Sequence, residues 1–184
     1  MRRHAPLSVF IACAALTLTQ ALSAPPARAL TASELGLIVN EADPLSVRIG
    51  EYYARARQVP PQNILRIRIE SAGDTLTSEQ FAELKADLDA RTPATVQAYA
   101  LTWVAPYRVE CMAITSALAF GFDRAYCGQR CALTRLSRYF DSDGRRPYSE
   151  LGLRPAMSIA ATNFDYARAL GASASRHRLS GRDR

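Results

Sequence analysis

Histidine is nearly missing from this chain: among 184 residues only His4 and His177 occur, so residues 30–176 hold none. That removes the usual general base for a serine or cysteine nucleophile and the commonest metal ligand. Equally absent are a GxSxG nucleophile elbow, a GxxxxGK phosphate loop and a GxGxxG turn, which leaves nucleotide binding and serine-hydrolase chemistry without support. No cofactor is expected, and no metal. Asp141-Ser142-Asp143-Gly144 starts like a calcium loop, but the third Asp and the distal Glu are missing, so it reads as a plain turn. Long apolar runs are lacking too. The longest, Leu7 to Leu18, has twelve residues, well short of the roughly 20 that a membrane span requires.

That short run sits between Arg2-Arg3 and the small-residue end Ala27-Arg28-Ala29, the layout of a cleavable secretory signal. Residues 1–29 are therefore read as a signal peptide cut after Ala29, and the mature chain as exported to the periplasm or beyond. Arg2, Arg3 and Arg28 leave with the signal and no acid does, so 20 basic side chains face 17 acidic ones and the net charge drops from +6 to +3. The remaining excess lies in Arg176 to Arg184; residues 30–175 balance at 16 against 16. A nucleic-acid partner needs a basic face on the folded domain, and none is expected here. The mature chain divides into an α/β domain over 30–170 and a disordered Arg-rich tail over 171–184.

What remains is patterned. Thr31 and Glu34, three apart, suit a capping box, followed by a strand at Leu37 to Val39. Asp43 suits an N-cap and Pro44 the first helical position. Leu45, Ile49, Tyr52, Tyr53 and Ala56 then recur on one helical face until Pro60-Pro61. Leu65, Ile67 and Ile69 alternate with Arg66 and Arg68, the period of a strand with one buried face. Thr77 to Gln80 forms a second capping box, opening a helix with Phe81, Leu84 and Leu88 inward. Val96 to Trp103 is a third strand. Weaker patterns give helices over Ser116 to Tyr126 and Leu133 to Phe140, a fourth strand over Met157 to Ala161 and a helix over Asp165 to Leu170. Strand and helix alternate, which predicts a mainly parallel sheet of about four strands with helices on both faces.

Three stretches, IVNEADPLSVRIGEYYARARQVPPQNI (Ile38 to Ile64), YALTWVAPYRVECMAITSALAFGFD (Tyr99 to Asp123) and LRPAMSIAA (Leu153 to Ala161), resemble one uncharacterised family of exported bacterial α/β proteins of unknown function. The resemblance covers most of residues 35–170 and implies an exported α/β protein, with no catalytic residues to carry over. Family members look longer, continuing past the fourth strand, whereas Gly171 to Arg184 departs from that pattern. Either an early stop or a natural short form explains the difference; the former implies an incomplete domain.

Parallel α/β sheets place ligand sites at the carboxyl ends of their strands. There the sequence puts Asn40, Glu41 and Asp43, then Ser71 and Asp74, then Trp103, Tyr107, Arg108 and Glu110, then Thr162, Asn163 and Asp165. The candidate ligand-binding set is Asn40, Asp43, Trp103, Tyr107, Arg108 and Glu110, with Trp103, Tyr107 and Arg108 suited to a flat or anionic ligand. Cys127 and Cys131 form either a local disulfide or two buried thiols. Cys111 is the weak candidate for a nucleophile, since without histidine it needs another activator. The leading expectation is a module binding an unknown small molecule or protein. The alternative is a truncated or inactive hydrolase with its site at the carboxyl ends of the strands, built on Cys111 or on Glu41, Asp43, Asp74, Glu110 and Asp165.

Overall fold

The structure, a computed structural model, describes residues 30–70, 73–128 and 132–169. Residues 1–29, where the signal is expected, residues 170–184, Ser71 and Cys131 lie outside the described residues. Four strands, β1 (Leu35–Asn40), β2 (Ile64–Ile67), β4 (Ala98–Leu101) and β7 (Ala156–Ser158), form a parallel sheet in the order β2-β1-β4-β7. Register pairs Leu37 with Ile64, Leu37 with Ala100 and Ala100 with Met157. A second sheet joins β3 (Thr75–Leu76) and β6 (Met112–Ala113) to either side of β5 (Arg108–Val109). The sequence did not announce these two-residue strands.

Alternation sorts the side chains of the main sheet onto two layers. Ile38, Leu65, Ile67, Tyr99 and Leu101 face α2 (Ser78–Arg91) and α3 (Ile114–Phe120), packing on Phe81, Leu88, Ala117 and Leu118. Leu37, Val39 and Ala100 face the other way, against Val47, Tyr53 and Ala54 of α1 (Pro44–Arg57). A helix over residues 164–169 lies beside α1, where the Phe164 ring meets Tyr52 edge-on at 5.7 Å and sits 4.7 Å below Arg48.

The helix starts follow their capping chemistry. Asp43 accepts from Leu45 N–H at 2.9 Å, and Thr77 and Gln80 exchange side chain to backbone bonds at 3.2 and 3.0 Å. Elsewhere the expectations need correction. Helix α1 ends before the prolines, because Gln58 adopts a left-handed conformation at φ 54° and its N–H returns to the last turn. Its buried face is Ser46, Ile49 and Gly50, while Ala56 is exposed. Small residues there let the helix approach the sheet: a Cβ on Gly50 would stand 2.6 Å from Val39 Cγ2. Helix α3 begins at Ile114 and stops at Gly121, which takes φ 84°. Residues 133–140 are not helical, and Leu133, Leu136 and Phe140 stand in solvent. A short helix unforeseen in the sequence, α4 (Pro147–Leu151), precedes β7.

Candidate functional site

Strand order reverses direction at β1: the chain moves from β1 outward to β2, then returns to place β4 on the opposite side. The crevice between the carboxyl ends of β1 and β4 is thus the topological switch point, where open α/β sheets hold ligands. Here it is filled by the protein. Asn40 N–H donates to Ser46 Oγ at 2.9 Å, and Ser46 and Thr102 hydroxyls meet at 2.6 Å. Thr102 Oγ1 then donates to Ile38 O at 3.2 Å. Running the protons in that order satisfies every group: Ser46 accepts from Asn40 and donates to Thr102. Ser46 and Thr102 are both fully buried. The Asn40 amide is spent as well, accepting from Ile69 N–H at 3.0 Å and Ala42 N–H at 3.1 Å and donating to Ile69 O at 3.3 Å. Both hydroxyls are shut off from solvent, so neither is placed to meet a substrate.

The other carboxyl-end candidates divide in two. Asp43, Trp103 and Glu110 serve the backbone: Asp43 caps α1, Trp103 Nε1 donates to Pro106 O at 3.0 Å, and Glu110 accepts from Ser78 N–H at 3.3 Å in the first turn of α2. Trp103 is only 3% exposed, which leaves no open ring face for a flat ligand. Tyr107 and Arg108 instead converge on Asp74. The β3–β5 pairing sets this up, with Tyr107 and Arg108 N–H groups bonding Asp74 O at 2.9 and 3.1 Å. The Tyr107 hydroxyl donates to Asp74 Oδ2 at 2.7 Å, Arg108 Nη2 reaches the same oxygen at 3.0 Å, and Thr75 Oγ1 donates to Oδ1 at 2.8 Å. The Tyr107 and Thr75 hydrogen bonds, aided by Arg108, hold the Asp74 carboxyl down at about 2, and the same carboxylate pushes the Tyr107 phenol up. Glu41 pairs with Arg66 at 3.3 Å on the surface, apart from this cluster.

The cysteine expectations change. Cys127 is bonded to Cys111, with Cα atoms 5.7 Å apart, instead of pairing with Cys131. Helix α3 and the 3-10 turn at Arg124–Tyr126 fold the chain back so that residues 16 apart meet. A disulfide sulfur carries no thiolate, so Cys111 in this state is no nucleophile.

A cavity lies at the opposite end of the sheet. About 530 Å³ in volume, it is walled by Leu35 and Ala98 at the amino ends of β1 and β4, by Pro155 and Met157 around β7, and by Tyr139 and Pro147. Arg145 is its one charged wall residue among the described residues. Met157 is 59% exposed on an edge strand, and Tyr139 is also exposed. The sequence carries a faint trace of it: Met157 interrupts a small-residue strand, and Tyr139 falls in an apolar segment spaced as on a helix. No protein-family model, no curated protein and no solved structure matches this chain.

Proposed function

We propose that the protein is a ligand-binding domain that works outside the cytoplasm and holds a small apolar molecule in the cavity at the amino ends of its strands. The observation that carries this reading is the cavity itself: 530 Å³ of space walled mainly by carbon falls within the usual range for small-molecule sites. Hydroxyls and amides at the switch point serve the fold, which supports binding over catalysis. The cysteine form of the rival hydrolase reading loses its nucleophile to the Cys111–Cys127 bond. That same bond supports export, since disulfides persist in oxidising compartments. Membership in the exported family that the sequence resembles belongs to this proposal. No helix among the described residues is long and apolar enough to cross a membrane.

Titration of the purified protein with the neutral fluorophore N-phenyl-1-naphthylamine tests the reading. Saturable one-to-one binding is expected, weakened by about tenfold or more in Met157→Lys, which places a charge at the cavity wall without disturbing a buried position. Binding that is absent, or equal in the two proteins, would overturn it. Export is tested separately by the amino terminus of the protein recovered from a periplasmic extract: Leu30 is expected, and an intact Met1 contradicts it.

A further inference from the structure

A second, smaller cavity of about 170 Å³ lies where α2, α3 and α4 meet, lined by Lys85, Asp89, Leu118, Ala119, Tyr148 and Arg154. Arg154 is 5% exposed, an unusual place for a guanidinium. Its partners are incomplete. Nε donates to Val96 O at 3.1 Å, and Nη1 stands 3.7 Å from Asp89 Oδ1, beyond hydrogen-bonding distance. Nη2 is buried with no hydrogen-bond partner among the described residues. The guanidinium carbon lies 3.3 Å from the centre of the Tyr148 ring and 5.7 Å from that of Tyr99. Asp89 also holds Lys85 through its other oxygen. One carboxylate therefore stands between two cations, leaving one positive charge in excess beside the cavity.

We propose that this cavity binds a small oxyanion, a carboxylate or phosphate, seated against Arg154 and Lys85 and beside the Asp89 carboxylate that stands between them. With Nε on Val96 O and Nη2 shut off from solvent, Nη1, short of hydrogen-bonding distance to Asp89, is the guanidinium donor left for such an ion. Burying a guanidinium costs free energy unless its charge is matched, and an anion at the cavity supplies the missing charge. The site is held in place by its neighbours. The buried Gln97 carboxamide accepts from Tyr148 and Ser149 N–H at 3.1 and 3.2 Å, anchoring the start of α4. Gly152, at φ 69°, turns the chain so that Arg154 returns beneath Tyr148. Asp89 is the one acid in the lining and opposes a second negative charge, so singly charged ions fit best.

Thermal unfolding of the protein against increasing acetate, and separately phosphate, with chloride holding ionic strength constant, tests the proposal. At least one of the two anions is expected to raise Tm saturably, with apparent affinity about tenfold weaker in Lys85→Met and unchanged in Arg55→Met, an exposed control. Lys85 lies only partly buried on a helix surface, so this variant keeps the test open should Arg154→Met fail to fold. No saturable rise with either anion, or the same rise in Lys85→Met, would overturn the proposal. The two cavities share no lining residue, so failure here leaves the apolar-ligand reading standing, and the reverse holds.

Discussion

Replacing Ser46 by alanine removes the central oxygen of the switch-point network. Asn40 N–H, in a residue 2% exposed, then has no acceptor in place of the 2.9 Å bond to Ser46 Oγ, and an orphaned buried donor costs about 1–3 kcal/mol. Thr102 keeps Ile38 O as an acceptor for its own proton, so its loss is small. Alanine returns about 0.5 kcal/mol through helix propensity. The net expectation is a loss of about 0.5–2.5 kcal/mol, centred near 1.5, a fall of roughly 1–10 °C in Tm for a domain of this size. Trp103, the only tryptophan and 3% exposed, reports unfolding in urea by fluorescence. The midpoint is expected to drop by about 1 M with the slope unchanged. A cycle with Thr102→Val is expected to be non-additive by about 0.5 kcal/mol or more. A loss under about 0.5 kcal/mol together with additivity would refute the view that the crevice is a satisfied structural network.

Gly50→Ala tests the close approach of α1 to the sheet. Helix propensity favours it by about 1 kcal/mol, but the 2.6 Å contact with Val39 brings an overpacking cost of about 1–3 kcal/mol; net destabilisation is expected in urea melts, relieved when Val39→Ala is added. Breaking Cys111–Cys127, by reductant or by Cys111→Ala, removes a cross-link between residues 16 apart and is expected to lower stability by about 3 kcal/mol. Asp74 titrates at about 2, below its ordinary 3.8. A depressed carboxyl favours the folded state above the unfolded pKa, and that contribution fades as pH falls through about 2. Carboxyl carbon NMR is expected to show this midpoint and its rise in Tyr107→Phe; an ordinary midpoint in the native protein contradicts the assigned hydrogen bonds.

Much of the framework is readable in the chain because it rests on local chemistry. Asp43-Pro44 and Thr77 with Gln80 state where two helices begin, and Leu65 and Ile67 state which face of β2 is buried. Regions that depend on what packs against them are less readable. Leu133, Leu136 and Phe140 are spaced as on a helix, yet a helix of this length gains its stability from a surface to cover, and these three side chains stand in solvent. On α1 the apolar stripe pointed to Ala56, whereas close packing selected Ser46 and Gly50, where small size matters more than hydrophobicity. The pairing of Cys111 with Cys127 depends on the chain turning back through α3, which spacing alone does not encode. At the carboxyl ends of the strands, the topological rule located the polar groups. Whether those groups face a ligand or each other is a matter of ångströms.

The proposed ligand site lies at the amino ends of the strands and away from the switch point, and methionine methyl NMR separates the two directly. Met157 lines the apolar cavity, Met112 is buried in the α2–α3 layer, and the Trp103 indole lies at the carboxyl end of β4. Titration with N-phenyl-1-naphthylamine is expected to shift the Met157 methyl while the Met112 methyl and the Trp103 indole N–H stay fixed. Movement of Trp103 with Met157 unmoved would contradict the account and return the site to the carboxyl ends of the sheet.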